Sequence, residues 1–107
     1  MAPEVPPFDD VLDANALAEG GMAVVKAGGR RIAVIRHNGQ WHAIDNDCPH
    51  VGGYLGQGTL QGDSVVCPLH QMAFDLVTGK ATNRAGGYSI AVHEVKVENG
   101  RVWVRLR

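Results

Sequence analysis

Each of the two cysteines in the sequence is followed by a proline and then by a histidine. The two groups are Cys48-Pro49-His50 and Cys67-Pro68-Leu69-His70, with 16 residues between His50 and Cys67. Each group presents a thiolate donor first and an imidazole donor second. Two thiolates and two neutral imidazoles form a soft-to-borderline set that suits an iron–sulfur cluster, zinc or copper. One group on each of two loops would let the loops clamp a metal centre from opposite sides. In a centre with two irons, the cysteines could share one iron and the histidines the other. A structural zinc module is an alternative, since zinc also accepts two cysteines and two histidines. Zinc sites more often pair cysteine with cysteine at short spacing, which this order does not. Two further readings are a pair of cysteines buried as small hydrophobes and a Cys48–Cys67 disulfide, against which a reducing compartment argues.

The rest of the composition narrows the setting for this chemistry. A length of 107 residues fits a single domain, residues 1–107. Lys and Arg total 10 against 11 Asp and Glu, so there is no basic footprint for nucleic acid and no strong field for a charged membrane surface. Glycine supplies 14 residues, nearly twice the usual ~7%, without a repeat. That excess favours tight turns and short strands. The N-terminal stretch has no basic start, long apolar run or cleavage site, and no window approaches a membrane span. A cytoplasmic setting is therefore expected.

The elements that must position the four candidate ligands are strands. Met22–Ala27 and Ile32–His37 are β-rich runs split by Gly28-Gly29, and Asn38-Gly39 leads into Trp41–Asp45. Both dipeptides are two-residue hairpin signals. Ile90–Glu98, Asn99-Gly100 and Arg101–Arg107 predict another hairpin, with Val95 and Val97 on one face and Val102, Val104 and Leu106 likewise. A helical turn is expected around Asp13–Glu19, ending at Gly20-Gly21. From Asp45 to Lys80 the pattern breaks into turns, with short strands near Ser64–Cys67 and Ala73–Leu76. The fold expected is all-β: an antiparallel sandwich or barrel-like base with a small loop-rich subdomain over about residues 45–80 that carries both Cys–His groups. Loops carried on a rigid sheet are where function concentrates.

A family resemblance rests on these same residues. Cys48-Pro49-His50-Val51-Gly52-Gly53-Tyr54-Leu55-Gly56-Gln57-Gly58, then Gly62-Asp63-Ser64-Val65-Val66-Cys67-Pro68-Leu69-His70, Phe74-Asp75 and Thr78-Gly79 strongly resemble the Rieske [2Fe–2S] proteins. Trp41-His42-Ala43-Ile44-Asp45 and the terminal Val97–Val104 hairpin extend the likeness over essentially the whole chain. The resemblance implies one [2Fe–2S] cluster per chain, with Cys48 and Cys67 on one iron and His50 and His70 on the other. It also implies electron exit through the two imidazole edges. The chain is expected to be a one-electron carrier rather than an enzyme, similar to the ferredoxin component of aromatic-ring-hydroxylating dioxygenase systems. Its expected partners are a flavin-dependent NAD(P)H reductase and a terminal oxygenase, docking transiently at the His50/His70 tip of a monomer. The alternative is the small subunit of an NAD(P)H-dependent nitrite reductase.

Departures from the best-known branch refine this expectation. Respiratory-chain Rieske proteins carry two further cysteines in a disulfide, and a serine and a tyrosine that donate hydrogen bonds near the second loop. Here that loop continues Gln71-Met72-Ala73-Phe74, without a hydroxyl. Fewer hydrogen bonds to the cluster sulfurs predict a potential at the low end of the Rieske range, roughly −150 mV. Many relatives also have a proline-bearing loop over the cluster, where this sequence reads Ala81-Thr82-Asn83-Arg84-Ala85-Gly86-Gly87-Tyr88.

The remaining candidates carry less specific chemistry. His37, His42 and His93 lie in predicted strands and are expected to be solvated or core-edge. A length of 107 residues also leaves no place for the mononuclear iron domain of the large oxygenases. Gly52 and Gly53 are expected to let the backbone approach the cluster sulfurs, whereas Gly56, Gly58 and Gly62 are expected to be ordinary turn residues. Asp45, Asp47, Asp63 and Asp75 are the only charged residues between 45 and 79. They could form an acidic ring around an apolar tip of Val51, Tyr54, Leu55, Leu69 and Met72, suited to a basic partner.

Overall fold

The computed structural model describes residues 7–49, 53–69, 71–83 and 86–107. Nine strands form two antiparallel sheets: β1 (Asp9–Asp13), β2 (Met22–Ala27), β3 (Arg30–His37), β4 (Gln40–Asp45), β5 (Thr59–Gln61), β6 (Ser64–Val66), β7 (Ala73–Asp75), β8 (Val92–Glu98) and β9 (Arg101–Arg105). The large sheet has the order β1-β9-β8-β4-β3-β2, and the small one β5-β6-β7. The edge strands of the large sheet approach each other, since Gly28 N–H, at the end of β2, donates to the Asp9 carboxylate of β1 at 2.8 Å. The base is thus a nearly closed antiparallel sheet, and the small sheet belongs to the subdomain inserted between β4 and β8.

Local sequence accounts for the hairpins. The pairs Gly28-Gly29, Asn38-Gly39 and Asn99-Gly100 each hold two successive positive φ values, the backbone that tight two-residue turns between twisted strands demand. Strand β3 is buried on both faces. Its Ile32 and Val34 pack into the interior of the large sheet with Ala43, Val102 and Val104. Its Ala33 and Ile35 pack the other way, with Ile44 of β4 and with Leu55, Val65, Phe74 and Leu76 of the subdomain. A continuous apolar run rather than an alternating one is what a strand shared by two cores requires.

Asp45 fastens the subdomain at its two junctions with the base. Its N–H donates to Ala91 O (3.1 Å), and its carboxylate accepts from Ala91 N–H (3.2 Å). The same carboxylate pairs with Arg30 at 2.9 Å and with the fully buried His93 Nε2 at 2.8 Å. His93 Nδ1 accepts the Arg107 N–H at 3.0 Å, which assigns the ring proton to Nε2. His93 is therefore a satisfied core histidine.

Several elements differ from the sequence-based expectation. Strand β1 was not anticipated, because Asp9-Asp10-Val11-Leu12-Asp13 is rich in a residue disfavoured in strands; pairing with β9 supplies its order. Strand β5 is likewise new. The turn expected over Asp13–Glu19 shortens to a 3-10 turn, Ala14–Ala16, capped by the Asp13 side chain. Glu19 instead accepts the Asn38 and Gly39 N–H groups at 2.6 and 2.9 Å. Val97 is 44% exposed at the hairpin end and leaves the apolar face expected of it, whereas Val95 packs on the core.

Asp75 closes the turn after β7 by accepting the Val77 and Thr78 N–H groups, both at 2.8 Å. Donation from Thr78 and then from Val77 holds its carboxyl below the ordinary value. A carboxyl depressed by folding stabilises the native state above its unfolded pKa, and the benefit fades as pH falls through the lower folded value. Asp75→Asn should therefore lower the melting temperature at neutral pH and narrow the gap to wild type on acidification below about pH 4, as read by thermal unfolding across pH.

Candidate metal centre

Two loops bring the cysteines together. The first leaves β4 at Asn46, which is buried. The Asn46 carbonyl accepts Leu55 N–H at 2.6 Å, and its Oδ1 accepts Gly56 N–H at 3.0 Å. Cys48 N–H then donates to Gly53 O at 2.7 Å. That bond closes the base of the first loop. The second loop joins β6 to β7, and its closing bond runs from Cys67 N–H to Met72 O at 2.8 Å. Both loops are thus short excursions pinned by main-chain bonds at the cysteine itself. His50 and His70 lie outside the described residues, as do Val51 and Gly52.

The loops touch at Gly53. A Cβ at this position would lie 2.9 Å from Cys67 Sγ and 3.3 Å from the Leu69 side chain. Only a residue without a side chain lets the first loop approach the second thiol this closely. Gly62, with φ +59° and open space around it, is the ordinary turn glycine expected. Gly56 and Gly58 are not: a Cβ there would run into Val24 and into the Val66 carbonyl, so close packing demands them.

Cys48 and Cys67 are both buried and both free thiols. Burial pushes the Cys67 thiol up from its ordinary value, the Leu69 N–H opposes this by donating to the sulfur, and the neighbouring Cys48 thiol pushes it further up. A Cys67 thiol that resists ionisation is a poor nucleophile. A bound cation reverses the balance, because coordination deprotonates thiols outright. The site therefore fits a thiolate-bound metal, with Leu55, Met72 and Phe74 as its dry backing.

Among the described residues, which include Cys48 and Cys67 but not His50 and His70, no group of three or more His, Cys, Asp or Glu is placed to hold a metal. His37 Nε2 lies 3.1 Å from Asp63. Burial, followed by the neighbouring His37, lowers the affinity of His42 for a proton.

Of the expected acidic ring, only Asp47, exposed and bridged to Tyr54, stays beside the first cysteine. Ser64 pairs with Asp75 at one end of the small sheet and Val66 with Ala73 at the other. Asp63 and Asp75 thus sit a strand's length from the cysteines, and Asp45 is engaged by Arg30 and His93. Of the apolar tip, Leu55 and Met72 are core residues, leaving Tyr54 and Leu69 exposed at 42% and 49%. The contribution of Asn46 was not read from the sequence, since an amide between two aspartates carries no signal until the loop returns to it.

The matching family model is the Rieske [2Fe-2S] domain, over residues 8–94. The ferredoxin component of naphthalene 1,2-dioxygenase/salicylate 5-hydroxylase systems from Ralstonia sp. is 38% identical over 90 residues, covering 84% of this chain and 86% of the relative. Among solved structures, a chain from the complex of reduced oxygenase and oxidized ferredoxin in carbazole 1,9a-dioxygenase superposes with a TM-score of 0.84 at 32% identity, covering 92% of each chain. A chain assigned as a nitrite reductase NADPH small subunit superposes with a TM-score of 0.79 at 19% identity, covering 92% of this chain and 97% of that one; this is a likeness of fold alone.

Gly53→Ala should preserve the β-scaffold and sharply reduce iron incorporation, because the added methyl enters the space of Cys67 Sγ. Iron content per folded chain, with far-ultraviolet circular dichroism as the folding check, measures this; wild-type iron content would contradict it.

Proposed function

Since this chain belongs to the Rieske [2Fe–2S] family, we propose that Cys48 and Cys67 hold one iron of a [2Fe–2S] cluster and that His50 and His70 hold the other. The protein is then a one-electron carrier of the dioxygenase-ferredoxin kind, an electron-transfer component and not a catalyst. The observation that carries the ligand assignment is the contact of two pinned loops at Gly53, with a buried thiol from each side. When bound, the cluster supplies a single reversible electron at an accessible potential.

The side chains around the cysteines serve that task. The pinned loops limit rearrangement of the ligands between redox states. The core residues Leu55, Met72 and Phe74 keep water from the cysteine side. Leu69 and Tyr54 give the tip a small apolar contact, of the size that suits brief docking rather than a stable complex. We assign this tip as the surface met in turn by an NAD(P)H-dependent flavin reductase and a terminal oxygenase, with the carrier acting as a cytoplasmic monomer. In support, a structural relative was solved in complex with its oxygenase. No helix among the described residues is long and apolar enough to cross a membrane.

Two experiments test this reading. Purified protein should be red-brown, with an electron paramagnetic resonance (EPR) signal that appears only on reduction; His50→Ala or Cys67→Ala should abolish both. A fully loaded, folded Cys67→Ala protein would overturn the assignment, and a colourless zinc-bound wild type would replace it with a structural module. The second loop offers the Leu69 N–H to the Cys67 sulfur but no hydroxyl over Gln71–Phe74, which keeps the expected potential near the low end, roughly −150 mV. A redox titration giving a value above zero would contradict that expectation.

A further inference from the structure

The second loop contains a backbone anomaly one residue beyond His70. Gln71 adopts φ +58°, the left-handed region that is strained for a residue with a side chain. Only two other described non-glycine residues do this, Asn38 and Asn99. Both are asparagines in hairpin turns, where the residue type tolerates it. Gln71 has no such excuse of residue type, so neighbouring structure must hold it.

The holding group is the Asn83 side chain. Its Nδ2 donates to Gln71 O at 2.9 Å, and its Oδ1 accepts Ala73 N–H at 2.9 Å. One amide thus grips the main chain on both sides of Met72, as a neighbouring strand would. Its own position is fixed next door, where Thr82 N–H donates to Ala73 O at 2.9 Å. The loop is held from its other end by the bond from Cys67 N–H to Met72 O. Asn83 comes from the segment after the small sheet, whose ends are tied by Ala81 N–H donating to Tyr88 O at 3.0 Å. Residues on either side of His70 are therefore locked by different means, Cys67 by the loop's own closure and Gln71 by a side chain from outside it.

We propose that Asn83 is a positioning residue for the cluster. By fixing Gln71 in the left-handed conformation, it sets the direction of the backbone that carries His70. This rests on the assignment of His70 as a ligand. Without the clamp, Gln71 relaxes to negative φ. A glycine at position 71 would adopt the same φ without strain and would make the clamp largely dispensable. Coupling between positions 71 and 83 is therefore the distinguishing consequence, because a brace that merely stabilised the 80s segment would be indifferent to the residue at 71.

The test uses loaded wild type, Asn83→Ala, Gln71→Gly and the double variant. The readouts are the rate of iron loss to a chelator, the EPR g-values of the reduced centre and the midpoint potential. Asn83→Ala should lose iron roughly tenfold faster, the equivalent of about 1.4 kcal/mol, with displaced or broadened g-values and a shifted potential. Gln71→Gly should match wild type, and the double variant should return to within about threefold of it. If Asn83→Ala fails to assemble, recovery of a loaded double variant supports the proposal and failure to recover overturns it. A loaded Asn83→Ala protein with wild-type iron retention, g-values and potential also overturns it, whatever its melting temperature. A wild type that assembles no iron centre refutes the ligand assignment instead, and the positioning role with it.

Discussion

Two thiols carried on separate loops have to meet in a dry place, and the contact between Gly53 and Cys67 Sγ is where that requirement is met. Everything around it is arranged to permit the approach. The first loop is closed by Asn46 and by the Cys48–Gly53 bond, the second by the Cys67–Met72 bond. Without those closures, each thiol would be free to turn toward solvent, where it would ionise and oxidise. With them, both thiols are held buried, and a bound metal would displace their protons. Metal binding and loop folding are then parts of one equilibrium.

The base provides the wall against which this contact is made. Strand β3 packs Ile32 and Val34 into one core and Ala33 and Ile35 into the other, so the large sheet and the subdomain share a strand rather than merely abutting. Asp45 joins the departing and returning chains through Ala91, His93 and Arg30. The subdomain, although built largely from loops, is thus tied to the base at both of its chain junctions.

Much of this was legible in the residues themselves. The donor set, the short spacing within each group and the hairpin dipeptides are local features whose chemistry does not depend on the rest of the fold. The strands β2, β3 and β4 followed from β-rich runs and turn signals. Strand β1 did not, since its aspartates disguise an edge held by β9. The acidic ring and part of the apolar tip were misread for a similar reason. Asp63 and Asp75 are near the cysteines in sequence, but a strand carries them to the opposite end of the small sheet. Leu55 and Met72 look like tip residues and are core.

The sequence by itself determined which side chains are candidate metal donors and how the chain turns, because donor chemistry and two-residue turns are properties of a few adjacent residues. Only the tertiary structure decided what holds those donors in place. Gly53 matters because of a sulfur 14 positions along the chain, Asn46 because of an amide ten positions on, and Asn83 because of a strained residue 12 positions back. A glycine or an asparagine acquires such a role only when a loop closes on it, and loop closure is a consequence of how the two sheets pack. The chemistry was therefore written locally, and its positioning was settled by contacts between residues distant in sequence.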